Sequence, residues 1–283
     1  MGNILLSAFS DEYAKPFEEQ LQGMSGFGIK NIELRFIDGK NVSELTENEV
    51  KEIKNKLASY GIGVSAIGSP IGKVRLDADL DAHFDMAKRV FETANTVGAK
   101  YIRIFSFYAP DGKSIGDMKN EVVDGIGRLL LLAKEYGVTL CHENEAKIYG
   151  DIPVRCKELL DTFGGELKCV FDMGNFVLEG VDPLDAYGLL RDNIAYFHIK
   201  DALREGAIVP PGKGDAKIKE ILKAHKKHAE NDFFVSLEPH LETFSGLNAL
   251  TNVSFENPYK YENQKTAFAD AVEKLNCVIG GMK

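Results

Sequence analysis

At 283 residues and 44% hydrophobic side chains, the chain is long enough for one large core and suits a (β/α)8 barrel, which runs to roughly 250 residues before insertions. Its formal charge of −9, from 34 basic and 43 acidic residues, argues against non-specific binding to nucleic acid or an anionic membrane, while leaving local basic loops able to hold a small anion. No apolar run approaches the roughly 20 residues needed to span a bilayer, and Met1-Gly2-Asn3-Ile4-Leu5-Leu6 lacks a basic start and a cleavage site, so the chain is expected to be cytoplasmic.

Apolar, β-rich runs recur along the chain, the first at about 4–9. It ends in Ala8-Phe9-Ser10-Asp11, without the glycine fingerprint of a dinucleotide-binding turn, and Gly26-Phe27-Gly28 precedes the second run instead. That second run, 29–34, ends in Ile32-Glu33-Leu34-Arg35, where Glu33 and Arg35 offer a neighbouring charge pair. The third, 62–67, follows the helix stop Tyr60-Gly61 and opens into Gly68-Ser69-Pro70-Ile71-Gly72-Lys73. This is no P-loop, because Val74 stands where Ser or Thr is required; flexible N–H groups with Lys73 would still suit a sugar phosphate, ordinary turn chemistry being the alternative.

Over 79–97, Leu80, Phe84, Ala87, Val90, Phe91 and Ala94 fall at spacings of three and four and predict one buried helix face, stopped by Val97-Gly98. The fourth run, 100–107, carries Arg103 among apolar neighbours, where a buried guanidinium needs carboxylates; it is read as part of an interior ion network or as a substrate anchor. After Tyr136-Gly137 the fifth, 138–143, ends in Cys141-His142-Glu143-Asn144, with Glu145 at period-two spacing from Glu143. The sixth, 168–172, ends in Phe171-Asp172-Met173-Gly174-Asn175, and Asp182-Pro183 then reads as an N-cap with proline at the first helical position.

The seventh run, 194–199, ends in Phe197-His198-Ile199-Lys200-Asp201, with Lys200 on the face of His198. A second glycine loop, Pro211-Gly212-Lys213-Gly214-Asp215, precedes a helical segment and offers Lys213 to an anion. The eighth, 233–238, ends in Leu237-Glu238-Pro239-His240, followed by a longer last loop at 239–257 that is expected to cover the site. His83, His225 and His228 fall on predicted helices and are read as exposed. Cys141, Cys156, Cys169 and Cys277 show no C-x-x-C spacing and are read as reduced packing residues, with neither a disulfide nor zinc.

Eight strands alternating with eight helical segments, with no Pro/Ser-rich linker, predict an α/β fold: one (β/α)8 TIM barrel domain over 1–283, preferred to a doubly wound open sheet for want of the glycine fingerprint. Reactive groups of such a barrel sit at the C-terminal strand ends, where Glu143, Asp172, His198 and Glu238 all fall. Three converging carboxylates and one imidazole would repel unless a cation neutralised them, which suggests one divalent metal, Mn²⁺, Mg²⁺, Co²⁺ or Zn²⁺. The alternative is four unrelated polar strand ends satisfied by loop hydrogen bonds.

With these residues in place, nearly the whole chain resembles the xylose-isomerase-like barrels, which include sugar phosphate isomerases/epimerases, ketose 3-epimerases, inosose dehydratases and apurinic endonucleases. Glu143-Asn144 looks like that family's Glu-Asn at the fifth strand, Asp172-x-x-Asn175 its Asp-x-x-His/Asn, His198-x-x-Asp201 its histidine, and Glu238 its final glutamate. The resemblance implies that Glu143, Asp172, His198 and Glu238 hold one metal and that Glu143 and Glu238 move protons through an enediolate. Asn175 stands where many relatives carry histidine and titrates nowhere useful. Glu145, Lys200 and His240 join Glu33, Arg35, Lys73, Arg103, Asn175 and Lys213 as candidate substrate contacts.

The expected function is metal-dependent isomerisation or epimerisation of a sugar or sugar phosphate. Dehydration of a keto-polyol of the inosose or dehydroshikimate type is the nearest alternative, and a non-catalytic metabolite-binding barrel is a further one. An apurinic endonuclease would need additional histidines and a DNA-binding face that the acidic balance opposes. No nucleic-acid or membrane partner is expected; barrels of this kind often form homo-oligomers.

Overall fold

All eight predicted runs form strands in a computed structural model that describes residues 2–242 and 259–282. They are β1 (Ile4–Ala8), β2 (Asn31–Leu34), β3 (Gly63–Ile67), β4 (Tyr101–Ile104), β5 (Thr139–Glu143), β6 (Lys168–Asp172), β7 (Ile194–Ile199) and β8 (Phe233–Leu237). Every ladder is parallel and the order is β1-β8-β7-β6-β5-β4-β3-β2, so each strand lies beside its neighbour in sequence. Side chains draw β1 and β2 together: Asn31 Nδ2 donates to the Leu6 carbonyl at 3.3 Å. The result is a nearly closed TIM barrel with helices on the outside.

Helix α1 (Phe17–Gly26) follows β1, and local chemistry sets several of the later helix ends. Helix α2 (Glu47–Tyr60) starts with a reciprocal capping box between Thr46 and Glu49, and α3 (Leu80–Val97) with the Asp79 carboxylate accepting from Ala82 N–H. Gly61, Gly98 and Gly137 stop α2, α3 and α4 (Lys119–Tyr136) in the left-handed region, at φ 61°, 79° and 68°. Asp182 caps the helix Pro183–Leu190, as its sequence predicts. The α3 stripe of Phe84, Ala87, Val90, Phe91 and Ala94 is buried; full burial of a large apolar side chain contributes about 1.5–3 kcal/mol, so Phe91→Ala is the single change that would cost α3 most.

Two predicted features differ. Strand β4 ends at Ile104 rather than near 107, because the loop after β3 folds over it: Phe105 N–H donates to Ile71 O at 2.8 Å, Phe107 N–H to Gly72 O at 3.0 Å, and Phe107 turns to φ 64°. His225 is buried, edge-on to Phe197 and Phe233 at 4.8 and 4.7 Å, since its helix Ile218–His228 presses that face onto the sheet; His83 is half-buried and accepts from Gly72 N–H at 2.8 Å. His228 is exposed, as expected.

All four cysteines are free thiols, with Cys277 exposed and the others buried. Among the described residues no helix is long and apolar enough to cross a membrane. Residues 243–257 of the expected covering loop lie outside the described residues.

Candidate metal centre

Period two along a strand sets up the site. Cys141 and Glu143 on β5, Val170 and Asp172 on β6, and Tyr196 and His198 on β7 alternate onto one face. Cys141, Val170 and Tyr196 pack with Ala66 as a small apolar cluster inside the barrel, and the polar residue two positions further along each strand reaches the C-terminal mouth. Glu238 follows β8 and prolongs its ladder, its N–H donating to Ile199 O at 3.1 Å. One donor atom from each of Glu143, Asp172, His198 and Glu238 lies within 4.8 Å of the others, and all four residues are buried.

Neighbouring residues fix these donors. Asn144 clasps the Asp172 backbone, accepting its N–H at 3.0 Å and donating Nδ2 to its carbonyl at 2.9 Å, which locks β5 to β6. Asp172 also N-caps the next helix, Met173–Leu178: its Oδ1 accepts from Asn175 N–H at 2.8 Å, leaving Oδ2 to Lys200 at 3.1 Å. Asn175 Nδ2 donates to Asn144 O at 2.9 Å and its Oδ1 accepts from Lys200 at 3.1 Å, so both ends of its amide bond within the protein.

The charge balance is uneven. Around the cluster stand six buried carboxyl groups, Asp11, Glu12, Glu33, Glu143, Asp172 and Glu238, against three buried cations, Arg35, Arg103 and Lys200, and the buried imidazole of His198, whose pKa burial lowers but Glu33, Glu143 and Glu238 raise well above its ordinary value. Arg103 Nη1 lies 3.1 Å from Glu143 and 4.0 Å from Glu238, and Lys200 Nζ lies 3.4 Å from Glu238. Burial alone would push the Glu143 carboxyl up, but His198 and Arg103 outweigh it and hold the group down at about 2. At Asp172 burial wins over Lys200 and pushes the carboxyl up to about 7. Burial likewise lifts Glu12 to about 8 against Arg35.

Carboxylates crowded this closely in a buried site fit a divalent cation, because burying an uncompensated carboxylate is costly. Glu238 Oε2 adds a second sign: it is buried, no hydrogen bond reaches it, and it lies 3.4 Å from His198 Nδ1. A set of three carboxylates and one imidazole suits Mn²⁺, Mg²⁺, Co²⁺ or Zn²⁺.

Other predicted residues fall in different places. Glu33 and Arg35 do not pair with each other: Arg35 lies just past the end of β2, and Glu33 meets His198 while Arg35 meets Asp11, Glu12 and Glu238. Lys73 and Glu145 form a partly buried ion pair at 3.0 Å. His240, in the left-handed region at φ 49°, places Nε2 3.2 Å from Glu12 and 3.4 Å from Glu238. Lys213 sits on an exposed turn whose amides are already committed: Asp201 accepts N–H from Gly212, Gly214 and Ala216 as well as from Ala202. The anion that this glycine loop cradles is therefore the protein's own carboxylate. In the loop of Lys73, Gly72 N–H is likewise spent on His83 and Ile71 N–H on Ser69.

Asp11, Glu12 and Tyr196 belong to this network and are not singled out by sequence. The signals were weak: an acidic pair just past β1, and an aromatic two residues before His198.

A model of the xylose isomerase-like TIM barrel family matches residues 24–265. No curated protein sequence matches the chain. Among solved structures it is similar to D-allulose 3-epimerase from Methylomonas sp., with TM-score 0.76 and 13% identity over 100% of this chain and 99% of that one. It is similar to the IolI protein with a bound zinc atom, with TM-score 0.74 and 19% identity over 100% and 99%. A probable 3-DHS dehydratase, AsbF of Bacillus anthracis, gives TM-score 0.72 and 19% identity over 98% and 99%. At these identities the likeness is one of fold.

Proposed function

The chain belongs to the xylose isomerase-like TIM barrel family, and on that premise we propose that it is a divalent-metal-dependent isomerase or epimerase of a sugar or sugar phosphate. The observation that carries the reading is the order of strands: Glu143 ends and Glu238 follows the outer two of four adjacent strands, with Asp172 and His198 between them. Two carboxylates so spaced can address opposite faces of one substrate carbon.

On this reading Glu143, Asp172, His198 and Glu238 hold the metal, which when bound would stabilise negative charge developing on a ketose oxygen. Proton movement belongs to the carboxylates. Either glutamate, ligating through one oxygen, could use the other as a base, and Glu143 is kept ionised by Arg103 and His198. Removal by one and return by the other on the opposite face is epimerisation; action on a single face gives aldose–ketose isomerisation.

Lys200, aimed at Asp172 and Glu238, is placed to hold a substrate oxygen, with His240 on the Glu12 side and the Lys73–Glu145 pair as further contacts. Arg103, Arg35 and Asn175 set the carboxylates and hold the strand ends. The solved dehydratase of the same fold makes water loss the second reading, since a β-hydroxyl can leave from the same enolised substrate.

The test is metal analysis of the purified protein, followed by a panel of ketoses and ketose phosphates in D₂O with deuterium and product mass read together. Exchange at an α-carbon without loss of water supports the proposal. Loss of water identifies a dehydratase, and stoichiometric metal without exchange or turnover on any substrate sinks the isomerase reading.

A further inference from the structure

His198 is held on both ring nitrogens. Nδ1 faces the cluster, 2.9 Å from Glu143 Oε1 and 3.4 Å from Glu238 Oε2. Nε2 faces the opposite way, 3.0 Å from Glu33 Oε2. Glu33 comes from β2, which is not among the four strands that carry the cluster, and its side chain reaches through the barrel interior fully buried. Its other oxygen, Oε1, accepts the Tyr196 hydroxyl at 3.0 Å. The Tyr196 ring stacks on Tyr101 and meets the His198 ring edge at 5.5 Å, while Phe9 closes the other side of the imidazole at 5.0 Å.

Once a metal takes one nitrogen, the imidazole keeps one proton, and an acceptor on the outer nitrogen holds it there. A carboxylate accepts only. We infer that Glu33, braced by Tyr196, is a positioning residue that holds the proton of His198 on Nε2 and so presents the Nδ1 lone pair to the metal. The inference rests on the metal reading above. It also moves Glu33 from substrate contact to support: both carboxylate oxygens are spent inside the barrel, and none of the side chain is exposed.

Zn²⁺ affinity of the full-length protein is measured by chelator competition for the wild type, Glu33→Gln and Tyr196→Phe, with Tm recorded for each. Glu33→Gln keeps the shape and removes the charge, and its affinity is expected to fall by about 10- to 100-fold, the usual effect of losing such a partner; Tyr196→Phe, which leaves the carboxylate in place, is expected to lose less. ¹⁵N-histidine spectra of the Zn²⁺-loaded wild type, which need no variant to fold, are expected to show the His198 proton on Nε2.

Unchanged affinity in Glu33→Gln at wild-type Tm, or a loaded His198 protonated on Nδ1, would overturn the inference. A wild type that takes up no Zn²⁺, Mn²⁺, Co²⁺ or Mg²⁺ overturns the metal reading, and this inference falls with it.

Discussion

Arg35 Nη1 lies 2.7 Å from Glu238 Oε1, while Glu238 Oε2 receives no hydrogen bond. The same guanidinium binds Asp11 through Nε at 2.9 Å and Glu12 through Nη2 at 3.0 Å, and stacks over Phe9 at 4.1 Å. Three carboxylates from the two ends of the chain are thus gathered on one planar cation. Burial would push Glu238 up, yet Lys200, His240 and His198 hold it well below the usual carboxylate range. Lysine cannot reproduce this fork. Arg35→Lys is expected to cost about 3–5 kcal/mol, the usual penalty for breaking a buried pair, read as a shift in urea midpoint. A variant within 0.5 kcal/mol of wild type, on the order of a neutral surface change, would show that the fork is dispensable.

Asp172→Asn and His198→Ala each remove a proposed ligand, and metal occupancy after dialysis is expected to fall at least tenfold. Glu238→Gln keeps an oxygen donor, so it is expected to retain metal while turnover of a verified substrate drops by about 10²–10⁴, the worth of a general base. Full activity in all three variants would dismiss the proposed centre. Removing the metal should also cost stability, because a ligand at 100 times its Kd contributes about 2.7 kcal/mol. The Tm with and without chelator measures this directly.

Strand periodicity and helix stops made the barrel legible, because hydrophobic alternation and the left-handed preference of glycine act locally. The cluster was legible for a related reason: a parallel barrel carries every strand end to one mouth, so Glu143, Asp172, His198 and Glu238 follow from strand ends alone. The partners of these residues did not. Glu33 reaches His198 across 165 positions of sequence and Arg35 reaches Glu238 across 203, and no local pattern encodes which interior charge meets which. His225 was misplaced for a similar reason, since the apolar face of its helix is fixed by tertiary packing rather than by residue type.

Asp201 organises the loop that carries Lys213. Its Oδ2 accepts from Gly212 and Gly214 at 2.7 and 3.0 Å, and its Oδ1 from Ala202 and Ala216 at 3.0 and 3.1 Å. Asp201→Asn turns one acceptor into a donor facing N–H groups, which is expected to cost about 1–3 kcal/mol in a buried setting. Gly214→Ala attacks the same point, because a Cβ there would stand 2.3 Å from Asp201 Oδ1 and 2.5 Å from Ala202 O. In both variants, hydrogen exchange at Gly212, Gly214 and Ala216 should accelerate by at least about tenfold. Wild-type protection in Asp201→Asn would mean that the turn holds itself.

His225 gives the fold an acid-sensitive point away from the cluster. Burial between Phe197 and Phe233, aided by nearby His228, lowers its pKa from 6.5 to about 4. The folded pKa is depressed, so between 4 and 6.5 the unfolded chain binds the extra proton. The stabilisation is therefore complete above 6.5 and is lost as pH falls from there toward 4. At pH 5 the loss from this one group is about 2 kcal/mol. His83 and His142 are lowered to about 4 by burial as well, so substituting His225 removes only its own share of the acid sensitivity. His225→Phe keeps an aromatic ring that cannot titrate. The difference in unfolding free energy between pH 7.5 and pH 5 should then shrink by about 2 kcal/mol relative to wild type, measured by urea titration at both pH values. An unchanged difference would mean that His225 protonates in the folded protein at its ordinary pKa.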